Sequence, residues 1–211
     1  MTPVQIKICG VTNAQDAKAC AELGASMIGF NFYPQSPRYI QPKVARRIIE
    51  ELPAEICGVG VFVDARAETI RSIAEQAGIR CLQLHGLIPP DTSRELAGEF
   101  RVIRAFSTHI QFQPEQVSLF DDCDVLVDAH HPNHHGGTGL TCDWQAACTA
   151  RSLARFLILS GGLTDQNVGD AITTVSPHAV DVCSGVESAP GTKDHRALKN
   201  FIEAVRMTDS F

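Results

Sequence analysis

Eight short apolar runs, each followed by a stretch of helical character, constrain this chain more than any other feature. The runs at 4–8, 27–32, 56–63, 81–84, 102–105, 125–127, 156–159 and 179–182 are rich in Val, Ile, Leu and Phe and read as strands. Between and after them, 14–23, 42–52, 67–77, 91–98, 114–120, 143–150, 165–175 and 194–205 read as helices. Asn13, Thr164 and Asp194 suit N-caps, Pro42 and Pro114 suit a first helical turn, and Gly24, Gly78 and Gly98 suit helix ends. The stretch 114–120 has the least periodicity of the eight. Strand–helix alternation of this kind makes parallel strands, because each helix returns the chain to the same edge. Eight units close into a (β/α)₈ barrel, an α/β fold; the alternative is a doubly wound open sheet, which the unit count disfavours. At 211 residues the chain is near the lower limit for such a barrel, so its connections must be short. No Pro/Ser-rich linker divides it, and residues 1–211 are expected to form a single barrel domain.

The formal net charge of −6 argues against nonspecific attraction to nucleic acid or to anionic membranes. It also repels a phosphorylated substrate at long range, so any phosphate must be held locally by backbone N–H groups and helix N-termini. No apolar stretch approaches a membrane span, and the start has no basic segment followed by an apolar one. The eight cysteines include no C-x-x-C pair and are expected as free thiols in the cytoplasm, mostly buried.

The positions where runs end are where a barrel assembles its active site. Cys9 follows the first run and precedes Gly10. A thiolate there can act as a base if cations or helix N-termini lower its pKa, although no such cation is evident in the sequence; the plainer role is packing. Asp128 ends the sixth run, where an unpartnered buried carboxylate is costly; a general acid with a raised pKa accounts for it. Arg38 lies in the loop Tyr33-Pro34-Gln35-Ser36-Pro37-Arg38, either as a solvated cation or as the partner of a substrate carboxylate. Glycine turns follow three late runs: Gly136-Gly137-Thr138-Gly139, Ser160-Gly161-Gly162 and Ser184-Gly185. Glycine permits close backbone approach, and the turns after strands seven and eight are common phosphate sites. His130, His131, His134 and His135 sit in a loop with Pro132 and Asn133, which suits a loop over the site better than a metal centre; no metal ligand is assigned. There is no G-x-G-x-x-G and no P-loop, so no cofactor is expected.

Taken in order, these motifs resemble the phosphoribosylanthranilate isomerase family of tryptophan biosynthesis. The resemblance rests on Lys7-Ile8-Cys9-Gly10, the segment from Gly29 to Tyr39, Val59 to Val63, Leu82-Gln83-Leu84-His85-Gly86, Asp128 with the glycine turns, and Asp181 to Glu187 with Pro190, Gly191, Lys193 and Asp194. It implies an Amadori rearrangement of an aminoaldose to an aminoketose, with Cys9 as general base and Asp128 as general acid. It implies that Arg38, Gln83, His85 and Asp181 contact the substrate, Arg38 at the anthranilate carboxylate and Asp181 near the sugar hydroxyls. Gly137, Thr138, Gly139, Gly161, Gly162, Ser184 and Gly185 would hold the phosphate. The partner would be a small phosphorylated molecule, and the enzyme a monomer or homodimer. Leu140 and Cys142 stand where the family often has Lys and Phe. Two other readings stay open: a different sugar-phosphate enzyme on the same scaffold, or a non-catalytic protein binding metal through the His-rich loop.

Overall fold

A computed structural model describes residues 3–108, 112–128 and 144–208. Eight parallel strands form a closed barrel in sequence order: β1 (Gln5–Ile8), β2 (Met27–Asn31), β3 (Cys57–Val63), β4 (Cys81–His85), β5 (Arg101–Ser107), β6 (Asp124–Asp128), β7 (Leu157–Ser160) and β8 (Ala179–Val182). Closure is made by β1 against β8, from Gln5 opposite Ala179 to Ile8 opposite Val182. The open-sheet alternative is thereby excluded. Around the barrel lie α1 (Ala14–Leu23), α2 (Pro42–Glu51), α3 (Ala67–Ala77), α4 (Pro90–Ala97), α5 (Trp144–Leu153), α6 (Val168–Val175) and α7 (His195–Thr208).

Local chemistry explains most of the boundaries. The Asn13 side chain accepts from the Asp16 N–H at 2.8 Å, and Asp194 accepts from the Arg196 and Ala197 N–H groups, so both cap helices. Gly24 and Gly78 end their helices in the left-handed conformation, as their lack of a Cβ allows. Gly98 stays right-handed. The fifth unit departs from expectation, for Pro114–Phe120 is a 3₁₀ helix. Its apolar Val117 and Phe120 are three residues apart and bury together, the spacing of a three-residue turn. The seventh helical stretch, α6, begins at Val168 rather than at 165. Thr164 caps the turn before it, accepting from Gln166, while its own N–H is tied to Asn167 Oδ1. A short antiparallel hairpin, β9 (Glu187–Ala189) with β10 (Thr192–Lys193), was not foreseen.

Successive strand side chains alternate between two packed layers. Ile8, Ile28, Phe30, Phe62, Leu82 and Leu84 belong to the larger apolar cluster, which also takes in buried helical residues. Met27, Val59, Cys81, Ile103, Leu126, Ile158 and Ala179 fill the inside as a separate cluster. Because all eight strands run in the same direction, their C-terminal ends share one mouth. The inward parity of that mouth collects Lys7, Cys9, Asn31, Gln83, His85, Asp128, Ser160, Asp181 and Cys183 above the apolar plug.

Candidate active site

At the mouth, Lys7 is fully buried, and its Nζ lies 2.9 Å from Asp181 Oδ1. The other Asp181 oxygen accepts from Ser160 Oγ at 3.2 Å. Burial alone would lower the ammonium pKa, but Asp181 and Cys9 more than offset it and hold Lys7 above its ordinary value. Cys9 follows β1, with its N–H donating to the Val182 carbonyl at 2.9 Å, and is 8% exposed. A hydrogen bond with the Cys183 thiol lowers the Cys9 pKa, burial opposes this, and Lys7 and Lys193 add to the lowering, which brings it to about 6. The same hydrogen bond, with burial, pushes the Cys183 thiol up. The sequence shows no cation for Cys9. The fold supplies two, Lys7 two residues upstream and Lys193 from the hairpin, and that expectation is corrected.

Lys193 is buried, and its Nζ donates to the carbonyls of Cys9 (2.6 Å) and Cys183 (3.2 Å) and to Glu187 Oε1 (3.1 Å). Glu187 also accepts from Arg38, Nη2 to Oε2 at 2.6 Å and Nε to Oε1 at 2.9 Å. Arg38 is therefore not a free loop cation. Its guanidinium is oriented by Glu187, and its own N–H donates to Ser36 Oγ at 3.1 Å. Gly10, at φ +75°, gives its stem room: a Cβ there would come 2.6 Å from Arg38 Cδ. Burial would raise the Glu187 carboxyl, but Arg38 and Lys193 hold it below the ordinary range.

Across the mouth, Gln83 Nε2 lies 2.7 Å from His85 Nε2. Burial and the Lys7 charge press the His85 pKa down to about 4, leaving a neutral imidazole at pH 7. Gln83 Oε1 is buried with no partner among the described residues. Asp128, half-buried, ends β6 between Ser107 of β5 and Ser160 of β7. It shares a cleft of about 210 Å³ with Gly161, Gly162, Asp181, Ser184 and Gly185. Gly161 and Gly162 both have positive φ (101° and 64°), and a Cβ on Gly185 would collide with the Leu163 carbonyl oxygen. Only glycine fits these turns, and the close approach exposes backbone donors to an anion. A larger groove of about 630 Å³, between α1 and α2, contains none of these groups.

The fold thus brings Cys9, Asp128, Asp181, Gly161, Gly162, Ser184, Gly185, Arg38, Gln83 and His85 to one mouth. Gly137, Thr138 and Gly139 lie outside the described residues, as do His130, His131, His134, His135, Leu140 and Cys142. Lys7, Cys183, Glu187 and Lys193 stand within the sequence motifs, which assign them no function. Strand parity could have found two of them, since Lys7 and Cys9, like Asp181 and Cys183, are two residues apart on neighbouring strands.

A lowered thiol and a carboxylate around a glycine-lined cleft, at the C-terminal mouth of a closed barrel, define a phosphate-handling (β/α)₈ barrel equipped for acid–base chemistry. The family model described as N-(5'phosphoribosyl)anthranilate (PRA) isomerase matches residues 6–204. The chain is 44% identical to N-(5'-phosphoribosyl)anthranilate isomerase of Thermotoga maritima over 200 residues, 95% of this chain and 97% of the relative. The crystal structure of phosphoribosyl anthranilate isomerase from that organism superposes with a TM-score of 0.89 at 43% identity, covering 97% of this chain and 99% of the other. A phosphoribosyl anthranilate isomerase in complex with reduced 1-(o-carboxyphenylamino)-1-deoxyribulose 5-phosphate superposes at 0.87 with 41% identity and the same coverage. This chain belongs to the phosphoribosylanthranilate isomerase family.

Proposed function

We infer that this protein is the isomerase that converts N-(5-phosphoribosyl)anthranilate to 1-(2-carboxyphenylamino)-1-deoxyribulose 5-phosphate, a step of tryptophan biosynthesis. The observation that carries the mechanism is the pairing of a low-pKa thiol, Cys9, with Asp128 and a glycine-lined cleft at one barrel mouth. In this reading Asp128 protonates the furanose ring oxygen, the C1′–O bond breaks, and a Schiff base forms with the anthranilate nitrogen. The Cys9 thiolate then removes the C2′ proton to give an enolamine. Proton delivery to C1′ and loss of the O2′ proton yield the ketone. The sequence needs one acid, one base and no electron transfer, so no cofactor is invoked.

Arg38, already oriented by Glu187, would hold the anthranilate carboxylate with charge-assisted hydrogen bonds. Gln83 and His85 would contact the substrate at the opposite wall, where the unpartnered Gln83 oxygen offers an acceptor. Asp181 would lie near the sugar hydroxyls while remaining tied to Lys7. The phosphate would sit on Gly161, Gly162, Ser184 and Gly185, completed by Gly137, Thr138 and Gly139. The whole chain would act as one catalytic domain in the cytoplasm, as a monomer or homodimer, without nucleic acid or membrane.

The test follows the fluorescence of N-(5-phosphoribosyl)anthranilate made in place from anthranilate and phosphoribosyl pyrophosphate. Rapid loss with wild type and at least about 10²-fold slower loss with Cys9→Ala and with Asp128→Asn is expected, the usual scale for losing a general acid or base. Undiminished turnover by either folded variant removes that residue from its role. No turnover by folded wild type, together with conversion of another sugar phosphate, would replace the reaction.

A further inference from the structure

A base must be ionised before it can accept a proton, and Cys9 is buried, which by itself favours the neutral thiol. The charges around it reverse that preference. Three cations, Lys7, Arg38 and Lys193, and two carboxylates, Asp181 and Glu187, form one contiguous hydrogen-bonded cluster about the Cys9–Cys183 pair. With a neutral Cys9 this cluster holds one uncompensated positive charge in a buried place. With the thiolate it is neutral. Of the other titratable neighbours, His85 on β4 is neutral at pH 7, Asp16 lies behind the hairpin and accepts from the Lys193 N–H at 2.9 Å, and Asp128 on β6 lines the glycine-walled cleft.

The cations do not act alike. Lys193 meets Cys9 through the backbone carbonyl, at 2.6 Å, and Arg38 is committed to Glu187. Lys7 is the cation that shares the space over Gly29 with the sulfur, and its charge lowers the thiol pKa. Gly29 on β2 shows the arrangement: a Cβ there would lie 2.8 Å from Cys9 Sγ and 3.1 Å from Lys7 Nζ, so both groups press on one bare Cα. Asp181 pins the ammonium from the other side at 2.9 Å.

We propose that Lys7 is a positioning residue for the base: its ammonium, anchored by Asp181, fixes Cys9 as the thiolate of the resting site. This rests on the reading of Cys9 as the general base, yet it concerns the free protein and is testable without substrate. The two members of the pair act with opposite sign. Removing Lys7 takes a positive charge from the sulfur, so the thiol becomes harder to ionise. Removing the Asp181 charge leaves Lys7 uncompensated, so the thiol becomes easier to ionise.

The experiment is a pH titration of ultraviolet thiolate absorbance, taken as the difference between each protein and its Cys9→Ser counterpart, so that the cysteines away from Cys9 cancel; any change in Cys183, whose thiol is pushed up, falls on the alkaline side of the Cys9 midpoint. The wild-type midpoint is expected at least about one pH unit below the ~8.5 of free cysteine. Lys7→Met should raise it by at least about one unit, a tenfold loss of thiolate at a given pH, and Lys7→Arg should restore most of the lowering. Asp181→Asn should leave it unchanged or lower it. The acid limb of kcat/KM should move with the midpoint, which a merely structural lysine would not cause. If Lys7→Met cannot fold with Asp181 left unpaired, the double variant Lys7→Met/Asp181→Asn removes both charges; its midpoint should lie at least about one unit above that of Asp181→Asn. An unmoved midpoint in either folded lysine variant, or a rise in Asp181→Asn, overturns the proposal. A low midpoint that rises on loss of Lys7, in a protein whose Cys9→Ser variant still isomerises at full rate, sustains the thiolate and refutes the base.

Discussion

Gly29→Ala tests whether the barrel wall itself sets the position of the base. Gly29 is buried in β2 and adopts an ordinary strand conformation, so alanine meets no backbone penalty there. What it meets is three atoms inside the ordinary contact range, which begins at 3.4 Å: Cys9 Sγ at 2.8 Å, Cys9 Cα at 3.1 Å and Lys7 Nζ at 3.1 Å. The Cα belongs to a backbone whose N–H is bonded to Val182 on β8, so it yields little. The sulfur and the ammonium must therefore each shift by several tenths of an ångström, and the ammonium already has Asp181 at 2.9 Å on its other side. Overpacking of this kind costs about 1–3 kcal/mol of stability. A displacement approaching 1 Å at a reacting group costs up to about 10²-fold in rate. We expect kcat to fall about 10- to 100-fold with KM little changed, because Arg38 and the glycine turns are untouched. Urea unfolding should show the 1–3 kcal/mol loss. Gly58→Ala is the control: its Cβ would meet the flexible end of Ile49 at 3.3 Å and no site atom. It should lose stability alone. A Gly29→Ala enzyme with wild-type kcat, or a Gly58→Ala enzyme with an equal loss of kcat, would refute the argument that close strand approach positions the thiol.

Three further outcomes follow from the same geometry. Arg38→Ala should raise KM for N-(5-phosphoribosyl)anthranilate at least about tenfold through loss of a charge-assisted pair, and Glu187→Gln should raise it less, by loosening the guanidinium; steady-state kinetics with KM unchanged in both would remove Arg38 from the carboxylate. Gly185→Ala forces a side chain into the Leu163 carbonyl and should abolish competitive inhibition by inorganic phosphate, so retained inhibition at the wild-type constant would move the phosphate elsewhere. Stability should fall on acidification. The His85 pKa is depressed in the fold from 6.5 to about 4, so protonation favours the unfolded chain; its contribution is whole above about pH 6.5 and is lost as the pH falls towards 4. Glu187 and Asp16, both held below the ordinary carboxylate range, lose theirs lower still, as the pH drops through their folded values. Denaturation midpoints between pH 8 and pH 4 check this, and His85→Gln should flatten the upper part of the curve.

What was legible in the sequence follows from what the strands bury. A parallel barrel strand is covered on both sides, so it appears as an unbroken apolar run, and each of the eight runs overlaps a strand. The fifth crossover was harder to read because a 3₁₀ turn with Val117 and Phe120 inward leaves no 3.6-residue period. The β9–β10 hairpin was invisible for a similar reason: strands of three and two residues are too short to show alternation, and the exposed Ser188 and Ala189 between Glu187 and Pro190 look like any loop. Yet that hairpin delivers Glu187 to Arg38 and Lys193 to the Cys9 carbonyl.

The cation beside Cys9 is a different case, because Lys7 and its strand parity both lie in the sequence. Lys7 stands within an apolar run, where a charged side chain must find a partner or unfold its surroundings. On a strand of period two it faces the same side as Cys9, towards the barrel interior, where the flanking strands present the like-parity residues of β2 and β8. On β8 these include an aspartate, Asp181, directly opposite Lys7 in register. On β2 the like-parity residues are Met27, opposite Lys7, and Gly29 one pleat further on, whose missing side chain leaves the space that the ammonium and the thiol occupy. A buried lysine, a facing aspartate, a glycine between and a cysteine one pleat further on are the register on which the proposed thiolate rests. In that proposal the segments Lys7–Gly10 and Asp181–Glu187 supply both the base and the charges that ionise it.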